Sequence, residues 1–355
     1  MSRSRPMTRR QRGFSLVELM VALTMSLVLL AGALSILYSS KLTNTENDRM
    51  ARLQEAGRTV VELILRDARS SGYQGCSRPV YGDEFANGLA SPSTLLWNFA
   101  QPIEGYEATG GSFVAASGSP ALDTTIVPSA TTGSDIIAFR STRQGQPVFR
   151  LTSAVTNVTN ALQVSMGAGS TVAANTPMIV GDCTGSAVFM ATTFATSSST
   201  AGTIAHALGN GTTGNLSADL PRGGFGIGSL VFPVQTVIYY VRDSATAGVG
   251  PTLWQRVGNN APQELVQGVQ NLQVRYGVDT DGDMLVNSYV AASAVTNWNQ
   301  VVSLSIAVLV RSPDEAGVEK DNRTYNLLGT TLGPFNDRRQ RAMFTTTVVL
   351  RNRTS

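Results

Sequence analysis

The sequence predicts an α+β protein: a long N-terminal helix packed by its lower half on a large, antiparallel β-rich head. Three observations predict it. An apolar run opens at Phe14 and passes without a proline into amphipathic helical spacing up to Ser70. From Tyr73 onward the pattern changes to period two, interrupted by turn clusters. The composition, 42% hydrophobic and 14% charged with 34 glycines in 355 residues, supplies a core and many turns.

The helix begins after a basic segment. Residues 1–13 carry Arg3, Arg5, Arg9, Arg10 and Arg12 and no acid. Without those five arginines the formal charge of +3 becomes −2. The basic character is therefore a targeting signal, and the mature charge gives no support to nucleic-acid binding. A second cluster, Arg338, Arg339 and Arg341, reads as a solvated turn.

Residues 14–38 form the membrane-spanning half of the helix. Leu19–Tyr38 contains no charge and spans roughly 30 Å as a helix, the thickness of a bilayer's hydrocarbon core. It is apolar on every side, so lipid or other apolar helices must surround it. The arginines ahead of it hold the N-terminus in the cytoplasm and send the remainder across. Glu18 is the exception. A carboxylate at mid-bilayer costs about 2.5–3.5 kcal/mol and marks a functional residue by default. A secretory signal would close its apolar run with a small-residue cleavage site. No such site closes this one, and helical spacing continues instead.

Residues 39–72 continue the spine. Met50, Leu53, Val60, Val61, Ile64, Leu65 and Ala68 recur at helical spacing with charges on the other faces, which predicts one stripe to bury. Gly72 fits a C-cap.

Gly13-Phe14-Ser15-Leu16-Val17-Glu18 resembles the G-F-[ST]-L-x-E signature of type IV prepilins and type II secretion pseudopilins. The resemblance implies cleavage between Gly13 and Phe14 by a prepilin peptidase, N-methylation of the Phe14 amine, and Glu18 as the acid at the fifth mature position. The physics fits: Phe14 and Glu18 lie one turn apart, and in a filament both charges need partners. Many major pilins carry a kinking proline about twenty residues into the mature helix; this chain has none.

The head, residues 73–355, predicts strands at Leu95–Phe99, Asp135–Arg140, Val148–Val155, Leu162–Met166, Ala187–Phe194, Val234–Arg242, Thr252–Val257, Val269–Gly277, Val301–Arg311 and Met343–Arg351. The Gly/Ser/Thr-rich stretches 107–134 and 195–228 read as surface loops. Asp182-Cys183, the stretch from Leu265 to Tyr276, the DTDGD turn, VSLSIAVLVRS and FTTTVVLRNR resemble the PilW-type minor pilins. That resemblance implies a low-abundance subunit of the pilus, near its tip, that helps prime assembly. Its implied partners are other minor pilins, the major pilin, the peptidase/methyltransferase, and an inner-membrane platform driven by a separate ATPase. The implied path runs from the inner membrane, with a periplasmic head, to the cell surface. A secretion pseudopilin and a membrane-anchored adhesin or ligand-binding protein are the alternative readings.

Export makes Cys76 and Cys183 a disulfide candidate. Asp279, Asp281 and Asp283 place carboxylates at alternate positions, as a calcium loop does. Met284 stands where such a loop has Gly, and Val290 where it has its last Glu, which favours an acidic hairpin turn. His206 is the one histidine, and no nucleotide, zinc or nucleophile motif accompanies it, which argues against an enzyme. Trp97, Phe99, Tyr239, Tyr240, Trp254 and Trp298 read as core or contact residues rather than a ligand cage.

Overall fold

The computed structural model describes residues 13–76, 84–143, 145–209, 214–315 and 319–354. Most of the basic leader, residues 1–12, lies outside them. The chain divides into two compact units, one up to Arg52 and one from Leu53 to Ser355.

Helix α1 covers Leu16–Ser70. In the first unit every residue from Gly13 to Asn44 is exposed. The helix meets its own polar needs there: Thr24 Oγ1 donates to Val21 O at 2.9 Å, and Ser26 Oγ donates to Ala22 O. Hydroxyls bonded back to helix carbonyls are the form that hydrocarbon tolerates.

In the second unit the same helix is amphipathic in fact. Leu53, Gly57, Val60, Ile64, Asp67 and Ala68 are its buried stripe. Leu53, Val60, Ile64 and Ala68 join the largest core cluster of the head. Leu53, Val60 and Ile64 each contribute about 1.5–3 kcal/mol by leaving water. The helix ends where expected. Gly72 takes φ +74°, a conformation that costs glycine little, and its N–H passes to Arg140 O at 3.0 Å.

Thirteen strands form the larger sheet: β1 (Glu84–Asn87), β2 (Ile103–Thr109), β3 (Ser112–Ala115), β4 (Ile136–Thr142), β5 (Phe149–Leu151), β6 (Leu162–Ser165), β7 (Thr176–Gly181), β8 (Gly185–Ala191), β9 (Thr193–Ser198), β10 (Ala201–Ala205), β11 (Leu230–Asp243), β12 (Pro251–Val257) and β13 (Gln263–Gln267). Among the described strands, β1 and β8 pair in parallel and the other pairings are antiparallel. The hub is β11, 14 residues long. Its first residues pair with β5 and β7, its middle with β4 and its end with β12.

A second sheet has the order β15-β14-β16-β19, from β14 (Val269–Val278), β15 (Ser288–Val290), β16 (Val301–Arg311) and β19 (Arg341–Val349). A hairpin of β17 (Tyr325–Leu327) and β18 (Thr330–Leu332) covers Ala307 and Leu309 on one face of it. The opposite face gives Val274, Tyr276, Leu304, Ile306, Val308 and Val348 to the cluster that receives α1. The four-residue α2 (Arg351–Thr354) follows. Asp135 joins the two sheets: its carboxylate accepts the N–H groups of Ala108 on β2 and Val274 on β14, at 3.0 and 2.9 Å.

Four expectations are corrected. Leu95–Phe99 is not a strand. Its carbonyls go to side chains instead of a ladder: Leu95 O accepts from Arg140, Leu96 O from Thr236 and Trp97 O from Asn87. The stretch 107–134 is not all surface loop, since it holds β3 and the buried Ile126 and Val127. Nor is 195–228, which holds the β9–β10 pairing and the buried Leu220 and Phe225. Arg341 is no solvated turn residue. Its side chain is fully buried, with its guanidinium on both oxygens of Asp337 at 2.6 Å and on Asp321 at 3.2 Å, and it lies over the Phe335 ring. Charge balance and stacking bring it in.

Candidate functional site

The candidate site is the start of α1. Gly13 and Phe14 precede the first helical residue, and Leu19 N donates to Ser15 O at 3.1 Å as the helix closes its first turn. Glu18 therefore stands in that first turn. Among the described residues it has no ion-pair or hydrogen-bond partner. Phe14 is 81% exposed and Val28 73%. A helix segment that is apolar on all faces and bare on all faces is made for lipid or for other helices. It is long and apolar enough to cross a membrane.

The seat of α1 on the head is built from particular contacts. Gly57 lies against Phe344 on β19. A Cβ there would stand 2.1 Å from the ring, so only glycine permits this approach of helix to strand. One turn before the helix ends, Asp67 is buried. Its Oδ2 accepts from Tyr239 Oη at 2.6 Å, its Oδ1 from Arg66 Nε at 3.2 Å, and Tyr239 Oη in turn accepts from Gln255 at 2.7 Å. Burial and then the Asp67 charge push the Tyr239 phenol well above its ordinary value, so it stays a donor. Spacing marked Asp67 as one more surface charge. A carboxylate on the apolar stripe was the available signal.

Cys76 and Cys183 are disulfide-bonded, with 4.6 Å between their Cα atoms. The bond ties the chain just past α1 to the turn between β7 and β8. Asp279, Asp281 and Asp283 bring carboxylate oxygens within 4.8 Å of one another. Asp279 is already engaged: its oxygens accept the N–H groups of Asp281, Gly282 and Met284 at 3.2, 2.7 and 2.8 Å. Asn287 accepts Thr280 N–H at 2.6 Å. These bonds organise a turn, and the donor set fits a cation incompletely. His206 has both ring nitrogens on carbonyls, those of Ala218 and Asn160, at 2.9 and 3.0 Å. It is buried and positioned as a brace. Of the aromatic side chains, Phe99, Tyr239, Tyr240, Trp254 and Trp298 are buried in the core clusters.

Residues 8–34 match the prokaryotic N-terminal methylation motif, and residues 238–352 match the family described as Type IV Pilus-assembly protein W. Over these two stretches the chain is similar to the pilus-assembly W family and to prepilin-like N-termini. No curated protein and no solved structure matches it. The two matched regions are the site just described. The methylation motif contains Gly13, Phe14 and Glu18. The PilW region contains Tyr239, Phe344 and the whole four-stranded sheet, which supply much of the surface that receives α1. The first match lies on the helix, and the second on the part of the head that seats it.

Proposed function

We propose that this chain is a minor pilin that helps prime type IV pilus assembly and is carried in the pilus near its tip. The observation that carries the reading is Glu18: a single acid, one turn from Phe14, on an otherwise apolar helix whose residues are exposed on every side. Such a rod is stored in the inner membrane, with the head in the periplasm, and leaves it to pack among like rods. Cleavage falls between Gly13 and Phe14, and the new Phe14 amine is methylated. In the filament that cationic amine and Glu18 of a neighbouring subunit neutralise each other, because either charge alone in an apolar bundle costs several kcal/mol. The head is bulky for repetition along a thin fibre, which suits few copies at an end. Catalysis has no part in this reading; the energy of assembly comes from a partner ATPase.

Deletion of the chain tests the reading. Surface pili and twitching motility are expected to fall and to return with the wild-type chain. Glu18→Gln is expected to insert and be cleaved yet to restore few pili. Intact piliation after deletion, or full rescue by Glu18→Gln, overturns the proposal. Lost protein secretion with normal pili assigns the chain to a secretion pseudopilus instead.

A further inference from the structure

Helix α1 covers only part of the sheet face on which it ends. Gln235, Val237, Tyr239 and Val241 alternate onto one face of β11. Gln255 and Val257 continue that face on β12, opposite Tyr239 and Val237. The helix ends at Ser70, and a cavity of about 330 Å³ opens beside its last turn. Val237 and Val257 are the apolar part of its lining, with Gln235 and Gln255 next to them. Arg66 and Asp67 line its helix side, and Arg143 and Gln146 come from the segment after β4. Ligand sites run from roughly 300 to 1,000 Å³, so this one has room for a single small unit.

The chemistry of this lining is one-sided. Among the described residues Asp67 is its only acid, and both Asp67 oxygens are taken, by Tyr239 and by Arg66. No carboxylate is left for a metal ion or an ammonium group. The Arg143 side chain has no partner among the described residues, so one positive charge is in surplus once Arg66 and Asp67 cancel. The side-chain amides of Gln146 and Gln235 are likewise uncommitted among the described residues. Gln255 gives its Nε2 to Tyr239 Oη at 2.7 Å and keeps its carbonyl. A primary amide can donate to a hydroxyl and accept from one. Among the described lining residues no aromatic ring is present for a flat ligand to stack on.

We propose that this cavity binds a sugar acid, a single uronate unit whose carboxylate meets Arg143 and whose hydroxyls meet the glutamine amides. The site goes beyond the pilus reading and does not depend on it. One surplus charge matches one carboxylate, whereas a phosphate monoester brings about −1.5 to −2. An amino acid would leave its ammonium group without an opposite charge. The C–H face of the sugar ring packs on Val237 and Val257. The free acid and the end unit of an acidic polysaccharide share this chemistry, and an oligomer separates them.

Titration calorimetry on the full chain, in a detergent without sugar head groups, makes the test. Sodium glucuronate and sodium galacturonate are the probes, and glucose, acetate and inorganic phosphate are the controls. A uronate is expected to bind saturably with a Kd of about 1 mM or below, and more tightly than any control. Arg143→Gln should weaken that binding about tenfold, the loss of a charge-assisted bond. Arg143 is exposed, so this variant keeps the fold and stands as the test if Gln235→Leu does not accumulate. Gln235→Leu should weaken binding several-fold. Trigalacturonate bound at least as tightly as galacturonate assigns the polysaccharide end unit, and weaker binding assigns the free acid. No binding of either uronate, a control that binds as tightly, or an affinity that Arg143→Gln leaves unchanged overturns the proposal.

Discussion

Tyr239 Oη donates to Asp67 Oδ2 across 2.6 Å, and this bond joins the last turn of α1 to β11, the hub strand of the larger sheet. Both groups are buried, so neither has water as an alternative partner. Tyr239→Phe keeps the ring's packing and strips one donor from a buried carboxylate. A loss of about 1–3 kcal/mol is expected, since an abandoned buried acceptor costs its full desolvation. Denaturant unfolding of the full chain in detergent measures it. A change under a few tenths would mean that Arg66 alone suffices for Asp67.

The contact of Gly57 with Phe344 makes a prediction about size. Gly57→Ala should destabilise by about 1–3 kcal/mol although alanine favours helix, because its methyl group enters the Phe344 ring. Phe344→Leu should relieve part of that loss when combined with Gly57→Ala. Additive losses in the double variant would show that the two sites do not meet.

Asp135 makes stability depend on pH near neutrality. Burial, and then the like charge of Glu107, raise its carboxyl to about 7, while the N–H groups of Ala108 and Val274 pull the other way. The unfolded carboxyl ionises near 3.8. Between those values the folded head holds a proton that the unfolded chain has released. Stability therefore falls as pH rises from about 4 to about 7 and levels off above. Asp135→Asn should flatten this slope in unfolding midpoints taken across the window. An unchanged slope in that variant assigns it to another group.

The disulfide closes a loop of 107 residues in sequence separation. Reduction, or Cys76→Ser with Cys183→Ser, should lower stability by up to about 4–5 kcal/mol in the chain-entropy account. The oxidised and reduced chains should also differ in gel mobility. Equal mobility and equal stability would contradict the bond's role.

The helix was legible, and its candidate site could be placed on it, because those signals are local. Glu18 stands out against an apolar run, and Gly13-Phe14 against the arginines before it. The strands β4, β14, β16 and β19 were legible within two residues, since each alternates or is buried throughout. What was hidden depended on distant partners. Leu95–Phe99 has a strand's composition, yet Arg140, Thr236 and Asn87 take its carbonyls. The strand β7 contains Pro177, which reads as a breaker and here opens the strand beside Thr176. Arg341 reads as surface until Asp321 and Asp337 are seen around it. Asp67 looks like an ordinary helix charge until Tyr239 meets it.

The position of the Cys76–Cys183 bond has a mechanical meaning. A pull that enters along α1 leaves the helix at Ser70 and meets a covalent crosspiece six residues later. Tension then passes through sulfur to the β7–β8 turn, and the strands from β1 to β7 hang in a closed loop that bears none of the load. Peeling the head from its N-terminal side is thereby blocked at the first step. A chain built this way can be drawn by its helix while much of its fold stays slack.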